Sequence, residues 1–136
     1  MITVQTKIQA SLDKIWSLWT LPEHITRWNM ASEHWHTPYA ENDLKIGGKF
    51  KYTMASKDGT VSFYFSGTYS TIQDKKIIIY SIEDGRKVIV VFDEQEDGVV
   101  ILQSFDPESE NPEEFQQQGW QAILDNFKNY VENNFI

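Results

Sequence analysis

Apolar residues recur at three- and four-residue spacing from Asn111 to Phe135, and this pattern predicts one long helix at the end of the sequence. Asn111 is suited to cap it, Pro112 to open it, and the acids at 113 and 114 complement its positive end. We place Gln116 on the polar side. The predicted apolar face consists of Phe115, Gly119, Trp120, Ile123, Leu124, Phe127, Tyr130 and Val131. This face needs a partner surface.

The upstream sequence alternates between apolar and polar residues, which predicts strands. The first strand covers residues 2–9. After residue 33, three Asp-Gly dipeptides and Asp74-Lys75 separate strand-like runs as hairpin turns do, and Gly47-Gly48 predicts a bulge or sharp bend. Six further strands are therefore expected at about 34–42, 48–56, 60–72, 76–83, 86–95 and 98–106.

Two short helices are expected between the first and second strands. Ser11 offers a cap for a helix over residues 12–19, and Pro22 opens a second one that carries Ile25 and Trp28. The fold class is therefore α+β, with a seven-stranded antiparallel sheet that curves around the long terminal helix.

Side-chain alternation also predicts the inner face of the sheet. The strands at 76–83 and 98–106 are apolar on both sides, so their facing stays open. If Gln103 faces inward, its amide needs a partner, such as a ligand, a tyrosine hydroxyl or water; otherwise it is exposed. The predicted inner positions are Phe50, Tyr52, Met54, Val61, Phe63, Phe65, Gly67, Tyr69, Ile78, Tyr80, Ile82, Val88, Val90, Phe92, Val99, Ile101 and Phe105.

Composition narrows the possible partners. The 136 residues suit a single domain, and 20 acids against 12 bases give a formal charge of −8 without a Lys/Arg cluster. Nucleic acid and insertion into membranes are therefore not expected. The sequence has no cysteine, no basic and apolar start typical of a signal peptide, and no apolar run long enough to cross a bilayer. We expect a cytoplasmic protein.

Four motifs resemble one known family. They are Pro22-Glu23 with Trp28, the run from Asn42 to Phe50 with its Gly-Gly-x-Phe ending, Phe65-x-Gly67-Thr68-Tyr69, and Gly119-Trp120-x-x-Ile123-Leu124-x-x-Phe127. In this order they are similar to the activator of heat-shock-protein-90 ATPase homologues, within the START-related (birch-pollen-allergen-like) SRPBCC superfamily. The resemblance covers essentially the whole chain.

The resemblance implies a helix-grip fold with a cavity between a curved sheet and the terminal helix. The eukaryotic co-chaperone after which the family is named carries such a domain beside a separate chaperone-binding domain, and we expect no counterpart of the second here. It resembles the stand-alone bacterial members, which have no settled catalytic residues to transfer.

Recognisable catalytic and metal motifs are absent from the sequence. His34 and His36 would share a face of a strand, but no third ligand is evident nearby, and the acidic run at 93–97 does not match a calcium loop. There is no Gly-x-Ser-x-Gly turn, phosphate loop or dinucleotide fingerprint. We therefore expect no metal and no cofactor, and catalysis is less expected than binding.

The aromatic residues either fill the core or line a pocket, because both roles produce the same periodicity. The leading hypothesis is a cavity for a small hydrophobic, lipid-like or aromatic molecule. The alternatives are a protein-interaction module that activates a chaperone ATPase, and a cyclase-like enzyme acting on a polyketide-type substrate. The candidate lining residues are Trp28, Trp35, Phe50, Tyr52, Met54, Phe63, Phe65, Tyr80, Gln103, Trp120 and Phe127.

Overall fold

The computed structural model describes residues 1–135. Within them, seven strands and three helices follow the predicted order. The strands are β1 (Ile2–Ile8), β2 (Trp35–Asn42), β3 (Lys49–Ser56), β4 (Ser62–Gln73), β5 (Ile77–Ile82), β6 (Lys87–Gln95) and β7 (Gly98–Phe105). The helices are α1 (Leu12–Thr20), α2 (Pro22–Trp28) and α3 (Glu113–Asn134). This is the helix-grip fold, as predicted.

All seven strands form one curved antiparallel sheet in the order β1-β7-β6-β5-β4-β3-β2. The connections from β2 to β7 are hairpins, so those neighbours in sequence are also neighbours in space. Turns occur at the predicted Asp-Gly pairs, where Gly59 and Gly85 have φ angles of +78° and +92° that favour glycine. The first strand joins the far side of the sheet by pairing with β7.

Helix α3 packs along β1 and closes that edge of the sheet. The Gln121 side chain donates to the backbone carbonyl of Gln5 at 3.0 Å and accepts from its backbone N–H at 3.4 Å. Farther along the helix, the Glu132 carboxylate accepts from the N–H of Gln9. Side chains of α3 thus satisfy strand groups that an open edge would leave to water.

The core lies between the inner face of the sheet and the three helices. In strand β7 buried and half-buried residues alternate strictly, and the inner residues are at most 7% exposed. This settles which side of β7 faces the core, and Gln103 lies on that side. Strand β5 likewise buries Ile78, Tyr80 and Ile82. Helix α3 contributes Leu124, Phe127 and Val131, all fully buried.

The start of α3 differs from the prediction. Pro112 occupies the cap position without a side-chain cap, Phe115 is 65% exposed, and Gln116 is buried. The Gln116 amide accepts from the backbone N–H of Glu108 and donates to the carbonyls of Glu108 and Asn111. This position is therefore polar yet inward-facing, because its amide ties the preceding loop to the helix.

Two predicted inner positions of β4 and its hairpin are exposed. Val61 precedes the strand and is 51% exposed, and Phe63 is 50% exposed, whereas Tyr69 farther along β4 is buried. The alternation of side chains is correct, but burial also requires a helix above the strand. At this end of the sheet the inner face is open to solvent.

Candidate functional site

A cavity of about 190 Å³ lies between the inner face of the sheet and the three helices. Its floor comes from β3, β4, β5 and β7, and its roof from α1, α2 and α3. Phe63 is half exposed and lines it, so this residue marks where the cavity meets solvent. The wall residues are Trp19, Thr20, Trp28, Asn29, Tyr52, Met54, Phe63, Phe65, Tyr69, Ile78, Tyr80, Gln103, Trp120 and Ile123.

Stacked aromatic rings hold the roof in place. Trp19 and Trp28 stack with ring centroids 4.8 Å apart, and both meet the buried ring of Phe127 edge-on. On the other side, Trp120 stacks on Phe105 of β7 at 4.1 Å with nearly parallel planes. Such contacts limit rotation of the large side chains, so the shape of the cavity is largely preformed.

Several polar groups of the wall are committed to the protein. The Thr20 hydroxyl donates to the carbonyl of Trp16, and the Trp28 indole N–H donates to the carbonyl of Leu18. The Tyr69 hydroxyl donates to the side-chain oxygen of Asn42 at 2.5 Å. These groups therefore shape the wall and offer little to a ligand.

Asn29 is committed as well. Its amide donates to the Thr37 hydroxyl at 3.3 Å and to the Met54 sulfur at 3.1 Å, and its backbone carbonyl accepts from Thr37. This cluster joins the end of α2 to strands β2 and β3. It therefore fixes the position of the Met54 sulfur in the wall.

Gln103 and Tyr80 are the main polar side chains that face the cavity. Burial raises the pKa of the Tyr80 hydroxyl well above its ordinary value, and the adjacent Gln103 amide partly opposes this by stabilising the phenolate. The Tyr52 hydroxyl also lines the cavity. Burial is the main cause that raises its pKa, and the neighbouring Tyr69 and Tyr80 raise it further. All these hydroxyls stay protonated at neutral pH, so they act as neutral hydrogen-bonding groups.

The wall carries no side chain that is charged at neutral pH, among the residues that the structure describes. The same described residues contain no group of three or more His, Asp or Glu side chains that could hold a metal ion. His34 lies in a turn before β2 rather than on the strand, so the expected shared face with His36 does not form. The site is suited to binding an uncharged molecule.

Eight of the sequence candidates lie in the wall: Trp28, Tyr52, Met54, Phe63, Phe65, Tyr80, Gln103 and Trp120. Three others do not line it. Phe50 is 2% exposed, and its ring packs against the backbone of β4 at Gly67. Phe127 is fully buried beneath Trp19 and Trp28. Trp35 contacts Phe63 at the outer rim of the cavity. Their rings fill or border the core.

Six wall residues were not selected from the sequence as site candidates: Trp19, Thr20, Asn29, Tyr69, Ile78 and Ile123. Tyr69, Ile78 and Ile123 lie on predicted inward faces, so their periodicity could have included them. Thr20 and Asn29 carry no comparable signal, because they enter the wall through the way α1 and α2 end against the sheet. Trp19 recurs with Leu12, Ile15 and Trp16 at helical spacing, but that spacing does not indicate which surface the helix meets.

Comparison with known proteins now assigns the family. The model of the family described as "Activator of Hsp90 ATPase homolog 1-like protein" matches residues 9–132. The chain belongs to this family. Its helix-grip fold is that of the SRPBCC type, and the sequence motifs identified above lie within the matched range. None of the curated proteins matches the chain.

Two solved structures illustrate the family relationship, and a third shares the fold. An AHSA1-like protein from Aeromonas hydrophila is 39% identical with a TM-score of 0.92, over 97% of this chain and 92% of that one. A protein from Cytophaga hutchinsonii is 52% identical with a TM-score of 0.85, over 98% and 92% of the two chains. A Nitrosomonas europaea protein is 15% identical with a TM-score of 0.82, over 97% of this chain and 94% of that one, and shares the fold.

No helix among residues 1–135 is long and apolar enough to span a membrane.

Proposed function

We propose that this protein binds a small hydrophobic molecule in the cavity between the sheet and the helices. The observation that carries this proposal is a cavity of about 190 Å³ in which aromatic and aliphatic side chains surround a few neutral polar groups, chiefly those of Gln103, Tyr80 and Tyr52. Small-molecule sites commonly combine an apolar lining with a few polar groups that orient the ligand. The cysteine-free sequence favours the cytoplasm as the place of binding.

The size of the cavity favours small ligands over long lipids. An engineered apolar cavity of about 150 Å³ in another protein holds a benzene molecule. The volume here is somewhat larger, so it suits one ring with a short substituent. A long acyl chain fits only if it leaves through the opening beside Phe63.

A screen of small uncharged molecules by native mass spectrometry and by amide chemical-shift changes tests this proposal. The matched variants are Ile123→Trp, which fills the cavity, and Phe115→Trp, which enlarges an exposed side chain of the same helix. We expect shift changes in wall residues that disappear in Ile123→Trp and persist in Phe115→Trp. A broad library that leaves the wall unperturbed, or hits that bind Ile123→Trp equally well, would overturn the proposal.

A protein-interaction module that activates a chaperone ATPase is the second candidate. Two observations favour it: the family description, and the exposed apolar side chains of Val61 and Phe63 at the open end of the inner face. Exposed apolar patches on a small domain are typical of contact surfaces. A chaperone ATPase assay at saturating protein is its test, with Val61→Ser expected to lower any stimulation and an absence of stimulation rejecting it.

A further inference from the structure

We infer that the cavity selects uncharged single-ring aromatic molecules and rejects carboxylates of the same shape, and that Gln103 is the specificity-determining residue. This inference rests on the proposed binding function and names the ligand class for the same cavity. Three features of the cavity lead to it: the absence of charge in the wall, the arrangement of its rings, and the polar groups that are left to meet a substituent of the ligand.

The wall offers no counter-charge to an ionic ligand. Among the described residues that line it, the polar side chains are Thr, Asn, Tyr, Gln and Trp, and none is a lysine, arginine or histidine. A carboxylate in such a cavity loses its water without gaining an ion pair, and an unpaired buried charge is strongly unfavourable. Burial holds the wall tyrosines in their neutral form for the same reason. Fatty acids and aromatic acids are therefore poor ligands.

The surrounding rings favour a flat ligand. Trp120 is fixed against Phe105, and its ring also meets Phe65 edge-on at 6.2 Å. The Trp19 and Trp28 pair forms the opposite part of the roof. A benzene ring gains offset-stacked or edge-on contacts with such walls, which a flexible chain of equal area does not.

A polar substituent on that ring has one main partner. Thr20, Trp28, Asn29 and Tyr69 direct their polar groups to the protein, and the Tyr52 hydroxyl is paired with Tyr69. Gln103 and Tyr80 lie side by side facing the cavity. The amide of Gln103 provides both a donor and an acceptor. It matches a substituent that also donates and accepts, such as a primary amide or a hydroxyl group.

Three probes of nearly equal size separate the effect of a ligand's charge from the effect of its polar substituent. Benzamide is neutral and polar, benzoate is its ionised counterpart at pH 7.5, and ethylbenzene is the apolar counterpart. Dissociation constants come from amide chemical-shift titrations of the full chain. We expect benzamide to bind at least tenfold more tightly than benzoate and several-fold more tightly than ethylbenzene.

Two glutamine variants test the role of Gln103 in ligand selection. Gln103→Met keeps the length and removes the amide, and Gln73→Met makes the same change at an exposed position at the end of β4. We expect Gln103→Met to lose the preference for benzamide over ethylbenzene while it still binds ethylbenzene, and Gln73→Met to behave as the unaltered protein. Retention of ethylbenzene binding also shows that Gln103→Met is folded.

The outcomes distinguish the inference from the proposed function. Equal or tighter binding of benzoate overturns charge selection while it leaves a ligand-binding cavity in place. A preference for benzamide that survives in Gln103→Met overturns the role of Gln103. If neither benzamide nor ethylbenzene perturbs the wall residues, both the inference and the proposed function for single-ring ligands fail.

Discussion

The ring of Phe50 occupies the space that a side chain at Gly67 would need. The two residues are cross-strand partners in β3 and β4, and a Cβ atom at position 67 would lie 2.8 Å from Cε2 and 2.9 Å from Cζ of Phe50. It would also lie 2.5 Å from the carbonyl oxygen of Ser81. The glycine of the Phe-x-Gly-Thr-Tyr motif thus allows the ring of Phe50 to pack directly against the backbone at position 67.

Gly67→Ala should therefore destabilise the protein. The added methyl group meets backbone as well as a ring, so neighbouring strands must shift, and overpacking of this kind costs about 1–3 kcal/mol. The measurement is the free energy of unfolding from urea titration. Gly119→Ala in α3 is the matched control, because nothing lies within 4 Å of a Cβ there and the helix favours alanine. A Gly67→Ala protein as stable as the control would contradict the account.

Removal of the Gln121 side chain should loosen the β1 edge. Gln121→Ala deletes the pair of hydrogen bonds to the backbone of Gln5, which should lower the free energy of unfolding by about 1 kcal/mol. Hydrogen exchange at the Gln5 amide should become faster. Gln117→Ala changes an exposed side chain of the same helix and should leave both quantities unaltered. Equal effects of the two substitutions would show that α3 does not close this edge.

The turn between β3 and β4 should carry an unusually acidic carboxyl group. Hydrogen bonds from the Ser56 hydroxyl, then the Thr60 hydroxyl and backbone N–H, lower the pKa of Asp58 to about 2. A folded-state pKa below the unfolded value near 4 stabilises the fold above that value, and the contribution is lost as the pH falls toward 2. Carboxyl NMR titration should give the low midpoint, and Ser56→Ala should raise it. An ordinary midpoint, unchanged by Ser56→Ala, would contradict the assignment.

The neutral tyrosines of the cavity should make the fold sensitive to alkali. The pKa of Tyr80 is raised in the folded state, whereas tyrosine in an unfolded chain ionises near pH 10. The stabilisation is thus complete below pH 10 and is lost as the pH rises beyond it. Tyr80→Phe cannot ionise and should show a smaller loss of unfolding free energy between pH 9 and 11. Tyr64→Phe, at an exposed position, should follow the unaltered protein, and identical slopes for all three would refute this.

The fold was predictable because its information is local. Alternation, Asp-Gly turns and the spacing in α3 are properties of short segments, and each strand and helix lies within a few residues of its predicted range. The errors concern side chains whose burial depends on contacts outside their own helix or strand. Gln116 is buried because it binds the preceding loop, and Phe63 is exposed because no helix covers its end of the sheet.

The site was predictable only in part, for the same reason. Periodicity places Tyr80, Gln103 and Trp120 on inward faces, but it does not separate a ring that lines a cavity from one that fills the core. Phe50 and Phe127 have the same spacing as true wall residues, and only their packing against Gly67 and Trp19 removes them from the wall. Thr20 and Asn29 depend on how the short helices end, which no local pattern specifies.

The sheet and the helices enclose space that side chains do not fill. A crystal structure under xenon pressure tests whether this space exists, because xenon enters dry apolar cavities. We expect a xenon site bordered by Ile78, Trp120 and Ile123. Xenon bound only elsewhere, with the wall rings in contact across that space, would contradict it.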